Sequence, residues 1–368
     1  MKITFVIGSM DGAGAQRVLA TLANYLSSNG YDITILTIKN KCAYSLNKNI
    51  KYKSLLKKKG KIKESILKKV FHRLIYPFLL YKQLKKEKSD IHISFLVDLN
   101  KHMILLSKML KVPVIASEHT NFKADMSFIS WIERRFIYKF ANAVTVLTKY
   151  DYNNYYSKFL NNVYIMPNPL SFKPIDTVKV RNKNKIILAA GSLNRWEIKG
   201  FDNLLRIFAN VQKKHSHWKL HIAGEGEKGL KYLTQLSKEL EIEDSVVFLG
   251  FQTTIKERMK ESSIFLLTSR YEGFSMVLVE AMSQGCACIS FDCIAGPSEI
   301  IDHNYNGILI EDQNTLKMEE EVNKLIETPK KREELAQNAI KSLDIFSVKT
   351  ISEKWISIID KISTTKII

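Results

Sequence analysis

The sequence predicts two consecutive doubly wound α/β domains, and three observations carry that reading. The chain opens with a strand, a glycine loop, a helix and a second strand. A proline-marked break near the middle is followed by the same pattern again. At 368 residues the chain is also too long for one compact core.

In order, Ile3–Ile7 reads as the first strand, Gly8–Gly14 as a loop, and Ala15–Ser28 as a helix with Val18, Leu19, Leu22, Ala23 and Leu26 on its apolar face. Gly30 ends that helix and Asp32–Ile38 is the next strand, which completes a β-α-β unit. Further strands are predicted at Ile91–Leu96, Val112–Ser117 and Ala143–Leu147. Pro167, Pro169 and Pro174 then break the pattern, and Thr177–Lys185 is polar and basic. The restart has a strand at Lys185–Ala190, a loop from Gly191 to Gly200 and a helix from Phe201 to Lys213. Short strands follow at Leu220–Ala223, Val246–Leu249, Ile264–Leu267 and Ala287–Phe291, each alternating with a helical stretch. The expected division is 1–170 for the first domain, 171–184 for a linker and 185–345 for the second domain. Residues 346–368, amphipathic around Trp355 and Ile359, are expected to return to the first domain. Ligands in such sheets bind beyond the carboxyl ends of the strands, so two of these domains are expected to face a central cleft.

The formal net charge of +19 is unevenly placed. Residues 1–170 hold 28 Lys and Arg against 10 Asp and Glu, whereas residues 171–368 hold 28 against 27. Fourteen of the basic residues fall between Lys51 and Lys88 with only two acids among them. A field confined to one half implies an anionic partner: nucleic acid, an acidic membrane face or a phosphorylated substrate. Within that stretch Ile62, Ile66, Leu67, Val70, Phe71, Leu74 and Ile75 recur at helical spacing, and Phe78–Tyr81 continue the apolar surface beyond Pro77. A basic amphipathic stretch of this kind suits an anionic membrane face. No RNP-type, zinc-finger or helix-turn-helix signature accompanies the charge, which argues against nucleic acid.

No apolar run approaches the ~20 residues that span a bilayer. The opening eight residues are too short for a secretory leader, and the four cysteines give no disulfide framework. Cys286 and Cys288 alternate along a strand and read as buried thiols. The expectation is a cytoplasmic protein. His215, His217 and His221 have spacing compatible with a metal, but no carboxylate cluster joins them and no metal site is expected.

The most informative segment is Arg270-Tyr-Glu-Gly-Phe-Ser-Met-Val-Leu-Val-Glu280. It follows an apolar strand, turns at Gly273 and continues as a helix. Strand, glycine turn and helix together aim backbone N–H groups and a positive dipole end at a phosphate. Glu272 in the turn and Glu280 two helical turns on suit the several hydroxyls of a sugar nucleotide.

Together with Gly12-Ala-Gly14-Ala-Gln-Arg17, Ser117-Glu-His119-Thr-Asn121 and Gly191 through Lys199-Gly200, this segment resembles the retaining nucleotide-sugar glycosyltransferases of family 4, which have the two-Rossmann GT-B architecture. Ile222-Ala-Gly224-Glu-Gly226, Phe248-Leu-Gly250 and Ala295-Gly-Pro297 are similar to family features as well, and the stations run in the family's order over nearly the whole chain. The resemblance implies transfer of a hexose or N-acetylhexosamine from a nucleotide diphosphate sugar, UDP-linked by family habit, with retention and no cofactor. It implies that Glu272 meets the donor sugar's hydroxyls, that Gly273, Phe274 and Ser275 hold sugar and phosphate through their N–H groups, and that Glu280 binds the ribose. Gly250 would meet the base and Gly14 the bound substrates, while Lys199 would neutralise the diphosphate. Where the family carries arginine directly after the glycine matching Gly191 this chain has Ser192, and Arg195, in an inserted Arg195-Trp196-Glu197, is the implied substitute. His119, Glu272 and Lys199 are the implied catalytic residues. Glu118, His119 and Asn121 are the implied acceptor-binding residues, with Glu118 either orienting the imidazole or touching the acceptor. The implied acceptor is a saccharide, lipid-linked on a polyprenyl diphosphate, met at the inner face of the cell membrane in bacterial surface glycan assembly. A nucleotide-sugar epimerase or phosphorylase on the same architecture, and a basic nucleic-acid-binding protein, are the competing readings.

Overall fold

The computed structural model describes residues 1–12, 14–56, 66–124, 127–176 and 183–364, with side chains omitted for 66–74 and 124. The chain forms two compact units, Met1–Ser171 with Phe346–Ile368 and Phe172–Ile345. Residues 177–182 of the expected linker, and the Ile62, Ile66, Leu67, Val70, Phe71 and Leu74 side chains of the basic stretch, lie outside the described residues.

The first unit holds strands β1 (Lys2–Ile7), β2 (Asp32–Lys39), β3 (Lys51–Leu56), β4 (Ile91–Phe95), β5 (Val114–Ser117), β6 (Ala143–Val146) and β7 (Val163–Ile165). Its helices are α1 (Gly14–Ser28), α2 (Ile66–Glu87), α3 (Val97–Leu110), α4 (Phe128–Ile132) and α5 (Lys149–Asn154). The strands form one sheet in the order β3-β2-β1-β4-β5-β6-β7, and every described pairing is parallel. Alternation along β1 sorts its residues between two layers. Ile3, Phe5 and Ile7 pack with α1, and Val6 packs with α2 and α3.

Two features depart from the expectations for the basic stretch. It begins as edge strand β3, whose lysines leave the exposed margin of the sheet charged. Leu80, expected on an apolar surface, is instead fully buried against the sheet, and only Phe78 of that group stands well into solvent.

The second unit holds β8 (Asn184–Ala190), β9 (Lys219–Ala223), β10 (Val246–Gly250), β11 (Ser262–Leu267), β12 (Ala287–Phe291) and β13 (Ile308–Ile310). Its helices are α6 (Trp196–Lys199), α7 (Phe201–Lys214), α8 (Glu227–Glu239), α9 (Ile255–Glu261), α10 (Met276–Ser283), α11 (Pro297–Ile300), α12 (Thr315–Glu327) and α13 (Pro329–Ser342). The parallel order is β10-β9-β8-β11-β12-β13, so the winding reverses between β8 and β11, as it does between β1 and β4 in the first sheet. The expected loop from Gly191 to Gly200 contains a 3₁₀ turn and α6, because Trp196 stacks on Tyr232 of α8 at 4.0 Å and anchors the insertion.

The last helix, α14 (Val348–Thr364), packs on the first unit beside α1. Its Trp355 is buried and stacks on Phe95 of β4, with ring centroids 6.2 Å apart.

Lys183, at the foot of β8, was read from sequence only as part of a polar linker. Its ammonium lies 2.7–3.0 Å from the carbonyls of Met259, Lys260, Ser262 and Gln284. It thereby ties the carboxyl end of α9 and the chain after α10 to the start of the sheet, and burial pulls its pKa below the usual lysine value. Replacing Lys183 with Met leaves four inward carbonyls without their cation. Denaturant unfolding of Lys183→Met is expected to show a loss of about 3–5 kcal/mol, and an unchanged midpoint would remove this role.

Candidate active site

In the second unit the loops after β8 and β11 flank the point where the winding reverses, the position at which parallel sheets leave a crevice beyond the strand ends. Lys199 comes from the first of these loops and Glu272 from the second. Lys199 Nζ is 2.8 Å from Glu272 Oε1, with both side chains largely withdrawn from solvent.

Local chain geometry sets up this contact. The Lys199 stem lies on Gly191, where an added Cβ would come within 3.2–3.3 Å of three side-chain carbons. Gly200 follows in the left-handed region at φ 61°, and a Cβ there would stand 1.9 Å from the Thr268 carbonyl oxygen. Thr268 Oγ1 donates to the Lys199 carbonyl at 3.1 Å, and the Arg270 N–H donates to the Ile198 carbonyl at 2.8 Å. Arg270 also grips Asp202 of α7 with two parallel bonds of 2.8 and 2.7 Å, so the two loops are joined on both sides of the Lys199–Glu272 pair.

Ser269 Oγ donates to the same Oε1 at 2.6 Å. Two donors therefore converge on one carboxylate oxygen, and among the described residues Oε2 takes no hydrogen bond. Sequence reasoning missed Ser269, Arg270 and Asp202 as supports. The signal available was their adjacency to the motif: Ser269 and Arg270 precede Glu272, and Asp202 follows Lys199-Gly200 in the first turn of α7.

Gly273, Phe274 and Ser275 lead from Glu272 into α10. Phe274 is buried, and Ser275 caps the helix with φ 21° and no side-chain cap bond. Its Oγ is buried and finds no hydrogen-bond partner among the described residues, an unusual expense for a helix start. Glu280 is buried on the same helix. Gly250 ends β10 with φ 65°, two strands away from β8. Arg195 is exposed at the end of its 3₁₀ turn and makes no described contact with the Lys199–Glu272 pair.

In the first unit the loop after β1 is closed by Gln16, whose Oε1 accepts from the Gly12 N–H at 2.7 Å and whose Nε2 donates to Asp11 at 2.8 Å. The Gln16 bond holds the Asp11 carboxyl below its usual pKa. The Gly12 N–H is therefore engaged within the loop. Gly14 is exposed at the start of α1, and Ala13 lies outside the described residues.

His119 follows β5. Its ring stacks on Phe95 with centroids 4.6 Å apart, and Nε2 lies 3.0 Å from Ser117 Oγ, which in turn accepts from Thr145. Dense surroundings push the imidazole pKa down to about 3, against the opposing hydrogen bond of Asn168. Part of the residue still meets solvent, so this depression reflects protein packed around the ring and not full enclosure.

The expectation for Glu118 is corrected. Its carboxylate makes no described bond to His119 and is turned into the core, where Tyr138 OH donates to it, Asn100 lies at 3.4 Å and Arg134 at 3.7 Å. Burial raises the Glu118 pKa while Arg134 opposes the rise. A carboxylate enclosed this way neither orients the imidazole nor reaches an acceptor. Asn121 is likewise buried, with Oδ1 accepting from the Lys123 N–H at 2.9 Å, so its described bond shapes its own loop. Among the described residues no group of three or more His, Cys, Asp and Glu is placed to hold a metal ion, and no helix is long and apolar enough to cross a membrane.

Residues 173–342 match the family model of glycosyl transferases group 1, and residues 12–171 match that of glycosyltransferase family 4. The amylovoran biosynthesis glycosyltransferase AmsD of Erwinia amylovora is 31% identical over 97% of this chain and 99% of its own. A Campylobacter jejuni α-1,4-N-acetyl-D-galactosaminyltransferase, named for an undecaprenyl-diphosphate-linked glycan, is 29% identical over 98% of this chain and 99% of its own. The Anabaena protein HepE, solved in complex with UDP, superposes over 98% of this chain and 100% of its own, with a TM-score of 0.79 at 17% identity. The Erwinia and Campylobacter relatives are bacterial glycosyltransferases, as is a Salmonella typhimurium lipopolysaccharide 1,6-galactosyltransferase that matches 40% of this chain at 35% identity. With two parallel-sheet Rossmann-like domains, matches to both family models and 31% identity to one such enzyme over nearly the whole of both chains, this chain belongs to glycosyltransferase family 4 and is a hexosyltransferase of the GT-B fold.

Proposed function

We propose that this enzyme moves a hexose or N-acetylhexosamine, with retention, from a nucleotide diphosphate sugar to a saccharide carried on a polyprenyl diphosphate in bacterial surface glycan assembly. UDP is the favoured nucleotide, since a structural neighbour is solved with UDP and glucose. The observation that carries the reading is the Lys199–Glu272 pair at the reversal point of the second sheet. An ammonium with one proton engaged keeps two for diphosphate oxygens, and a carboxylate with one oxygen engaged keeps the other for sugar hydroxyls.

In this reading the anomeric C–O bond breaks through an oxocarbenium-like state and the nucleotide diphosphate departs. Lys199, with Arg195 and the start of α10, stabilises the charge developing on the leaving group. The acceptor hydroxyl attacks from the face the diphosphate leaves, and its proton passes to the departing phosphate oxygen. The sequence has no Asp-x-Asp element to carry a divalent ion on the diphosphate, and the reaction is proposed to need no metal. His119, neutral at pH 7, binds a donor hydroxyl and orients the acceptor without carrying charge. The lysine-rich first domain is proposed to meet an anionic membrane surface from the cytoplasmic side, where such an acceptor is presented.

Three measurements check this reading. Lys199→Ala and Glu272→Ala are each expected to lower transfer by about 10²–10³-fold with the circular dichroism spectrum retained, and wild-type turnover in either variant would strip that residue of its role. A thermal-shift series across nucleotide sugars is expected to single out one donor by a raised Tm, because a ligand of the native state stabilises it by mass action; no response to any of them would count against the donor class.

The third concerns His119, whose folded pKa lies below its unfolded value of 6.5. Between about 3 and 6.5 the unfolded chain binds the extra proton, so this contribution is complete above 6.5 and is lost as the pH falls. The difference in unfolding free energy between wild type and His119→Gln is expected to shrink by roughly 2–4 kcal/mol across that window. A constant difference would show that the imidazole titrates normally.

A further inference from the structure

The segment from α4 to Phe140 is amphipathic in the wrong sense for a protein surface in water. Ser130, Arg134 and Tyr138 recur every fourth residue and face inward, all buried, with Tyr138 and Arg134 directed at Glu118. Phe128, Ile132, Phe136 and Phe140 recur at the same spacing on the opposite side, with Ile129 and Trp131 beside them, and these six are 37–73% exposed. Phe128 and Trp131 stack on each other at 6.0 Å, and Trp131 meets Phe136 edge-on at 6.2 Å, so these three outward rings form one continuous face. Helix α3 lies alongside, joined through Lys101 to Glu133 and through Lys108 to the Phe140 ring, and it adds exposed Leu105 and Met109. Contiguous apolar surface of this kind marks a contact site, not ordinary scatter.

Its surroundings identify the occupant. Lys108 stands 3.7 Å above Phe140 and Lys139 stands 5.9 Å from Phe136. A shallow recess of about 280 Å³ opens at the edge, lined by Lys108, Lys111, Phe140 and Asn142 among others, and it has the size and charge for a phosphate-bearing headgroup. The half of the chain that carries the patch holds nearly all the positive excess. Tryptophan and phenylalanine among lysines is the composition of elements that lie in the headgroup layer of an anionic bilayer. Residues 128–140 are too few to cross one, which requires ~20.

We propose that the Phe128–Phe140 face inserts its rings into the surface of an anionic lipid bilayer while the Lys108–Lys111 recess takes a lipid phosphate. The proposal deepens the lipid-linked acceptor reading above, on which its relevance to the reaction rests. It locates membrane contact on a segment distinct from the Lys51–Lys88 stretch.

The test uses the full chain with vesicles of phosphatidylcholine, alone or mixed with phosphatidylglycerol, carrying brominated acyl chains. Expected is binding to the mixed vesicles with quenching of tryptophan fluorescence that Trp131→Phe abolishes. The double variant Phe128→Ser, Phe136→Ser keeps the inward face intact and is expected to partition about tenfold more weakly, with an unchanged melting curve and unchanged transfer to a water-soluble acceptor. Lys108→Glu with Lys111→Glu is expected to remove the preference for phosphatidylglycerol. Absence of Trp131 quenching, or wild-type partitioning by the double serine variant, overturns the assignment. So does a dimer of the wild-type chain that the serine variant converts to monomer with vesicle binding unaltered. If no nucleotide sugar supports transfer but Trp131 is still quenched, the docking face stands and the acceptor reading falls. If transfer proceeds to a soluble acceptor and Trp131 is never quenched, the enzyme reading survives and the docking face does not.

Discussion

An ammonium and a carboxylate held 2.8 Å apart at the ends of two neighbouring strands constrain almost everything else in the second unit. Neither charge is affordable alone in such surroundings, because a largely buried ion without its partner costs several kcal/mol. The loop that carries Lys199 must therefore be delivered to Glu272 and held there. That requirement accounts for the flat Gly191 floor under the lysine stem, for the left-handed Gly200 pressed against Thr268, and for the Arg270–Asp202 fork beside the pair. The strand order supplies the opening, since the winding reverses between β8 and β11 and their loops diverge.

The first unit solves a different problem with a buried polar network. Glu118 draws Arg134 and Tyr138 inward, which commits the remaining side chains of the same short segment to point outward. Aromatic exposure at Phe128, Trp131, Phe136 and Phe140 is thus the other face of a buried charge arrangement. On the opposite layer the rings of Trp355, Phe95 and His119 stack in sequence, so the returning helix α14 supports the residue that follows β5. Removing that helix would withdraw the support of Phe95, on which the imidazole rests.

Much of the fold was legible because parallel strands buried on both faces read as unbroken apolar runs. The strands around Ile3–Ile7, Ile91–Phe95 and Ile264–Leu267 stand close to where periodicity puts them. What escaped were the elements whose sequence is ambiguous. Lys51–Leu56 is an edge strand written in lysines, and Val163–Ile165 and Ile308–Ile310 are three residues each, too short for a period to show. Tertiary pairing decides such segments. At the candidate site, Lys199 and Glu272 were found by motif, whereas their mutual contact was not: they are 73 positions apart in sequence. Glu118 was misjudged for the complementary reason. A carboxylate beside a histidine in sequence points to the opposite side of an extended chain, and here that side is the core.

The sequence by itself determined the alternation of strand and helix, the division of charge between halves and the motif residues, since each depends on neighbours a few positions away. Which charges share a contact, which face of a helix turns outward and which polar groups are enclosed depend on strand order and on residues far along the chain. Those were settled only when the sheets assembled, because burial and pairing are properties of a surrounding volume and not of a local stretch.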